Sequence, residues 1–186
     1  MKKVHLSPVV TLKWMRGIFL IGFMGAGKTS VGRVLAERLG CRFIDLDQCL
    51  HQRFGAPIPD VFERQGEEVF REAERDELAR CCEQHNVVVA TGGGAFCSQA
   101  NREIIRASGG LSVFLDLPWE VLEERLVRDH AGRPKYDDSG QAQLLYESRL
   151  TDYRQATVCV ELTGSESAEN AADCVVAALE EAPCVT

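Results

Sequence analysis

No apolar run in this 186-residue chain approaches the about 18–20 residues that a membrane-spanning helix requires, so no association with the bilayer is expected. The chain also lacks an excess of basic residues. Its formal net charge is −7, which argues against a broad surface for nucleic acid or anionic lipid. A local site for a small anion needs only a few arginines and stays open. Residues 1–16 carry Lys2, Lys3, Lys13 and Arg16 around short apolar patches, but they show neither a signal-peptide h-region nor a small-residue cleavage site. They read as a loose extension outside the folded domain or as a wrongly assigned start, rather than as a signal peptide. Eight cysteines are present, at 41, 49, 81, 82, 97, 159, 174 and 184, yet none forms a C-x-x-C pair and none lies at zinc-finger spacing from a histidine. A chain of this length builds its own core without a disulfide framework. The cysteines are therefore expected as reduced, half-buried small hydrophobes in a cytoplasmic protein. No long internal repeat or low-complexity segment is visible, and residues 17–186 read as one domain.

What the chain does have is a regular alternation. Apolar residues make up 45% and charged residues 26% of it, ordinary values for a globular protein. Strand-like runs at 18–21, 42–45, 87–90, 111–115 and 157–162 alternate with helical stretches at 28–39, 47–54, 60–83, 98–107, 118–128, 141–155 and about 167–180. Three of the strands, 18–21, 87–90 and 111–115, are almost continuously apolar, as parallel strands covered on both faces are. Boundary signals agree: Asp60 with Glu63 as a capping box, Ser98 as an N-cap, Pro118 in a first turn, and Gly40 and Gly109 as stops. Strand and helix repeated in this way predict an α/β doubly wound sheet. Two regions break the rhythm. Residues 47–83 hold more helix than one crossover needs, and 129–140 are polar and rich in turn formers. In an open α/β sheet, ligands bind beyond the carboxyl ends of the strands. An insertion and a loop at that edge predict a substrate pocket and a mobile lid.

The segment Gly22-Phe23-Met24-Gly25-Ala26-Gly27-Lys28-Thr29 fits the pattern G-x-x-x-x-G-K-[ST] and lies between a predicted strand and a predicted helix. Glycines let successive backbone N–H groups turn toward phosphate oxygens, the lysine adds a positive charge, and the threonine hydroxyl can ligate magnesium. The helix that follows adds its positive end. Next to it in the reading come Asp45 and Asp47, at the end of the second strand. In extended backbone they share a face, so one could hold magnesium near Thr29 and the other could accept a hydrogen bond from a substrate hydroxyl. The alternative is that Asp47 only caps the next helix. After the third strand comes Thr91-Gly92-Gly93-Gly94. Three glycines in a row imply either a ligand close to the backbone or a tight strand-to-helix turn. Arg71, Arg133 and Arg149 are candidates for holding an anionic group, since planar guanidinium groups suit carboxylate and phosphate. Arg75, Arg80, Arg102 and Arg106 read as solvated helix-surface residues.

Taken together, Gly22 to Gly32, the Asp45-x-Asp47 pair, Gly66-Glu67-Glu68-x-Phe70-Arg71-x-x-Glu74, Thr91-Gly92-Gly93-Gly94-Ala95 and Arg133-Pro134 resemble the shikimate kinase family over roughly residues 17–180. The resemblance implies a three-layer α/β/α P-loop fold whose five parallel strands run in the order 2-3-1-4-5. It implies ATP-dependent phosphorylation of the shikimate 3-hydroxyl in aromatic amino-acid (chorismate) biosynthesis, with ATP and Mg2+ as cofactors, and a monomer is expected. Carried over by position, Gly25, Ala26, Gly27, Lys28, Thr29, Ser30 and Arg133 bind the nucleotide, and Thr29 and Asp45 hold the metal. Asp47, Arg71, Gly92, Gly93, Gly94 and Arg149 bind the substrate. Lys28, Asp47 and Arg133 carry the catalysis, Arg133 being delivered by the lid, and Arg125 or Arg128 borders the adenine or the phosphates.

The chain departs from the family pattern at three places. The lid reads Arg133-Pro134-Lys135-Tyr136 where the family often has Arg-Pro-Leu-Leu, the loop before it holds an extra residue, and Tyr146–Tyr153 keeps the Arg and Tyr spacing without a common proline. Competing functions are another small-molecule kinase on the same fold, such as a gluconate kinase, or a non-catalytic shikimate-binding regulatory relative. A GTPase is disfavoured because no N-K-x-D motif occurs. Ala107-Ser108-Gly109-Gly110 faintly resembles a transporter ATPase signature, but it sits at a helix stop.

Overall fold

The computed structural model describes residues 16–129 and 139–182. Five strands form one parallel sheet: β1 (Ile18–Ile21), β2 (Arg42–Asp45), β3 (Val87–Ala90), β4 (Leu111–Asp116) and β5 (Val158–Glu161). Their order is β2-β3-β1-β4-β5, the order that the family resemblance implied. The three nearly continuous apolar runs are the three central strands, and they are buried along almost their whole length. The edge strand β5 instead alternates buried Val158 and Val160 with exposed Cys159 and Glu161.

Eight α-helices cover the described part of the sheet: α1 (Lys28–Leu39), α2 (Leu46–Phe54), α3 (Ile58–Gln65), α4 (Glu67–Cys82), α5 (Gln99–Ala107), α6 (Trp119–Asp129), α7 (Ser139–Tyr153) and α8 (Ala168–Glu181). A single 3-10 turn lies at Ala95–Cys97. The cap signals at Ser98 and Gly40 hold: Ser98 accepts from the Asn101 N–H, and Gly40 takes the left-handed conformation at φ 65°. Gly109 likewise ends α5 at φ 71°. Two boundary expectations fail. The predicted helix over 60–83 is two helices, because Gly66 at φ 87° breaks the run. The Asp60–Glu63 capping box does not form, because α3 already starts at Ile58, with Pro57 at its cap position and a proline in its first turn. Among the described residues no helix is long and apolar enough to cross a membrane, and Cys41, Cys49, Cys81, Cys82, Cys97, Cys159 and Cys174 are free thiols. Burial pushes the Cys81 thiol up to about 12, which leaves it an inert core residue.

The topology decides where function can sit. The registers Ile18↔Val88 and Phe43↔Val88 align β1, β3 and β2 side by side. The segments leaving their carboxyl ends, Gly22–Thr29, Thr91–Gly94 and Asp45–Asp47, therefore converge although up to seventy residues separate them in sequence.

Candidate active site

The loop after β1 is shaped by two glycines that adopt left-handed backbone, Gly25 at φ 80° and Gly27 at φ 87°. A turn closes from the Ala26 N–H to the Phe23 carbonyl at 3.2 Å. Helix α1 begins at Lys28 with no side-chain cap, so its first N–H groups face the cleft as anion donors. Phe23, one of the variable residues of the motif, is fully buried and anchors the loop. Its ring packs edge-on against Tyr146 of α7 and Trp119 of α6, at centroid distances of 5.5 and 6.2 Å. Lys28 Nζ donates to the carbonyls of Gly22 and Phe23, both at 2.8 Å. That fixes the ammonium over the loop and leaves one N–H for a phosphate oxygen.

Burial lowers the Lys28 pKa to about 8, against the opposing pull of Asp47 and Asp45. Burial raises that of Asp47, against the opposing charge of Lys28. Their charges therefore act on each other at the cleft edge, where Asp47 is exposed and Lys28 half-buried.

Asp45 and Asp47 do not lie on one face of an extended strand. Helix α2 starts at Leu46, so the chain has already turned between them. Asp45 is the N-cap: its Oδ1 accepts from the Gln48 N–H at 3.2 Å and its Oδ2 from the Thr29 hydroxyl at 2.7 Å. The capping role that competed for Asp47 therefore belongs to Asp45. Asp47, in the first turn of α2, faces the cleft instead. Oxygen donors side by side on Thr29 and Asp45 suit magnesium, which takes one or two protein oxygens and completes its shell with phosphate and water. Among the described residues no cluster of three or more His, Cys, Asp or Glu could hold a metal by itself.

Two clefts open along this edge. One, of about 490 Å3, is lined by the phosphate-loop residues Gly25, Gly27, Lys28, Thr29 and Ser30, with Asp45, Arg125 and Arg128 opposite. The other, of about 800 Å3, is walled by Ile58, Phe62 and Phe70 from α3 and α4, and by Arg71, Arg149 and the three glycines. Met24 and Asp47 belong to both walls. Ala26 is buried at the start of a third cleft of about 260 Å3 that runs from Gly27 and Ser30 past Arg125 to Glu166 and Ser167.

The glycines do lie in a tight turn, closed from the Ala95 N–H to the Gly92 carbonyl at 3.1 Å, but none of the three adopts positive φ, so the turn itself does not require glycine. Close approach does at Gly92 and Gly94, where the approaching atoms are side chains of the site. A Cβ at Gly92 would lie 2.7 Å from Asp47 Oδ1 and 3.1 Å from Glu74 Oε1, and one at Gly94 would lie 2.9 Å from Arg71 Nη1. Gly93 presents its carbonyl to Arg149 Nη1 at 3.2 Å and to the Tyr153 hydroxyl at 2.5 Å. Arg71 bonds Glu74 Oε2 at 2.8 Å and Glu67 Oε1 at 3.2 Å, with Phe70 beneath its guanidinium. Arg149 stands 5.8 Å over the Phe23 ring.

Glu74 and Tyr153 were not among the predicted site residues. Glu74 is 1% exposed, and burial raises its pKa despite the Arg71 ion pair. Its signal was a carboxylate four residues after Phe70 and four before Leu78, in the middle of the apolar stripe of α4. Tyr153 is one helical turn beyond Arg149 and fully buried against Phe114. Arg102 corrects another expectation. It is not solvated: its side chain is 11% exposed, donates to the Phe96 and Cys97 carbonyls at 2.7 and 2.9 Å, and pairs with Asp152 at 3.0 Å. Arg75, Arg80 and Arg106 are exposed as expected. Arg133 and most of the 129–140 loop lie outside the described residues.

Comparison with known proteins agrees with this geometry. A model of the shikimate kinase family matches residues 24–180. A shikimate kinase of Ruegeria pomeroyi is 42% identical over 165 residues, 87% of this chain and 84% of that protein. Among solved structures, the shikimate kinase of Acinetobacter baumannii in complex with shikimate superposes with a TM-score of 0.81 at 34% identity, covering 93% of this chain and 97% of the other. A gluconokinase of Sinorhizobium meliloti, at 23% identity and a TM-score of 0.64, shares the fold. With the matched region spanning both clefts, the chain belongs to the shikimate kinase family.

Proposed function

We propose that this protein transfers the γ-phosphoryl group of ATP to the 3-hydroxyl of shikimate, and that the two large clefts hold donor and acceptor. The observation that carries the reading is Asp47, which stands on the wall common to both clefts and in the field of Lys28. A hydroxyl of an acceptor in the larger cleft then meets its base and its phosphoryl donor at one point. Phosphoryl transfer asks little covalent chemistry of the protein, and positioning with charge stabilisation supplies the rate.

In this reading Gly25 to Ser30 and the start of α1 hold the phosphates. Lys28 follows the transferring group with its free N–H. Asp47 orients the attacking hydroxyl and accepts its proton, a task helped by the upward shift of its pKa through desolvation. Arg71 and Arg149 bind the acceptor carboxylate, and the insertion at 47–83 shapes its pocket. Thr29 and Asp45 hold Mg2+, which when bound neutralises charge on the phosphate oxygens. The family resemblance assigns Arg133, which lies outside the described residues, to the transferring phosphoryl group, and the base end of the nucleotide lies in the 260 Å3 cleft beside Arg125. A gluconate kinase on the same fold has no need of two guanidinium groups facing one acceptor cleft.

The test is ADP release measured in parallel with shikimate, quinate and gluconate. Turnover with shikimate is expected, and turnover with gluconate alone refutes the reading. Asp47→Asn is expected to abolish turnover while ADP binding persists. Lost nucleotide affinity would move Asp47 to the metal site.

A further inference from the structure

The connection from β5 to α8, residues Leu162–Ser167, is closed around one carboxylate. Glu166 Oε1 accepts from the Thr163 N–H at 3.0 Å and the Thr163 hydroxyl at 2.8 Å, and Oε2 accepts from the Gly164 N–H at 2.8 Å. The Thr163 hydroxyl also contacts the Ser165 hydroxyl at 2.7 Å. Gly164 adopts φ 90°, and a Cβ there would lie 2.4 Å from Val121 of α6, so the loop is pressed onto that helix. Its outward carbonyl accepts from Arg125 Nη2 at 3.1 Å, while Arg125 Nη1 donates to the Gly25 carbonyl of the phosphate loop at 3.0 Å. An unbroken hydrogen-bonded path therefore runs from Glu166 through Gly164 and Arg125 to Gly25.

We infer that Glu166 is a positioning residue for the nucleotide: its carboxylate sets the Thr163–Ser165 loop, the loop carbonyl aims Arg125, and Arg125 fixes both the phosphate loop and the wall of the 260 Å3 cleft. This deepens the kinase reading and rests on it. The backbone donors hold the Glu166 carboxyl down to about 2, so the staple is charged at neutral pH. Helix capping is not the job of Glu166, because Ser167 is the N-cap of α8 and accepts from the Asn170 N–H. The arrangement also separates the two ends of the reaction. The path touches the phosphate and base clefts, and none of its residues lines the acceptor cleft.

The experiment compares Glu166→Ala and Glu166→Gln with the unmodified protein by calorimetric binding of ADP and by the KM values for ATP and shikimate. Glu166 is partly exposed, so both variants are expected to fold. Losing bonds to a charged acceptor predicts ADP binding weakened by about 10-fold in Glu166→Ala and by less in Glu166→Gln, which keeps one acceptor oxygen. The KM for ATP rises in step, and the KM for shikimate stays within about twofold. Unchanged ADP binding, or equal rises in both KM values, overturns the inference alone. An unmodified protein that binds no ADP overturns the kinase reading and takes this inference with it.

Discussion

Three consecutive glycines offer three different substitutions with one chemical change, a single methyl group. At Gly92 the added Cβ would stand 2.7 Å from Asp47 Oδ1, against roughly 3.4 Å for ordinary van der Waals contact, so about 0.7 Å must be found. The same Cβ would also lie 3.1 Å from Oε1 of the buried Glu74, so of the two carboxylates it is Asp47, exposed along the cleft, that shifts. Shifting a general base by most of an ångström costs roughly 10- to 100-fold in kcat. Overpacking of this size also costs about 1–3 kcal/mol of stability, or about 2–4 °C of Tm for each kcal/mol in a chain of this length. At Gly94 the methyl group meets the Arg71 guanidinium at 2.9–3.0 Å instead. A guanidinium displaced from the acceptor carboxylate raises the KM for shikimate more than it lowers kcat. At Gly93 the nearest atom is the Met24 backbone nitrogen at 3.6 Å, an ordinary contact, and Gly93→Ala should be the mildest of the three.

The assay is steady-state ADP release with shikimate and ATP varied separately, beside ADP binding and thermal melting for each variant. The expected pattern is a kcat defect at 92, a shikimate KM defect at 94 and little change at 93, with ADP binding kept in all three. If Gly92→Ala retained kcat within twofold, the close approach of Asp47 to this loop would not matter for turnover, and the explanation given for the glycines would fail.

Two further predictions concern Lys28 and Tyr153. With its pKa lowered to about 8 by burial, Lys28 loses its charge as pH rises through 8, so kcat/KM for ATP should fall on that limb. In kcat the limb should move to higher pH, because bound phosphates favour the ammonium. Stability responds with the opposite sign: between about 8 and 10.5 the unfolded chain binds more protons than the folded one, so this group's contribution rises with pH there. Denaturant titrations between pH 7 and 10 of the wild type and Lys28→Met isolate that slope, and identical slopes would refute it. Tyr153→Phe keeps the packing on Phe114 but removes the 2.5 Å bond to the Gly93 carbonyl. We expect a several-fold higher KM for shikimate with the ATP KM unchanged, and an equal rise in both would make the tyrosine a general stabiliser.

The sheet was readable because burial on both faces leaves a mark in composition. The strands at 18–21, 87–90 and 111–115 are apolar throughout, and those three became the centre of the sheet. Helix ends were less readable. Asp60 with Glu63 looks like a capping box, yet Pro57, three residues earlier, takes the cap position and starts α3 without a side-chain cap, and Gly66 divides what periodicity joined. The same limit applies to Asp45 and Asp47. Their spacing suits a strand, but the cap that Asp45 makes to Gln48 turns the chain one residue sooner and gives the two carboxylates separate tasks.

What sequence could not reveal was which groups hold the site residues in place, because those bonds cross between distant elements. Arg102 has the surroundings of a surface residue in sequence and is instead clamped between two carbonyls and Asp152. Asp152 and Tyr153 follow Arg149 on α7, so the helix that presents a guanidinium to the acceptor cleft is fixed at two further points by neighbours of that residue. Glu74 does the same for Arg71 from within α4. Arg71 is thus held by the buried Glu74 and Arg149 by the Gly93 carbonyl, and a guanidinium held this way binds a carboxylate with less loss of rotamer freedom. On the donor side the corresponding support reaches Gly25 through Arg125 and Gly164 from Glu166. Acceptor and donor ends therefore rest on separate bonded paths, and Asp47 stands where their two clefts meet.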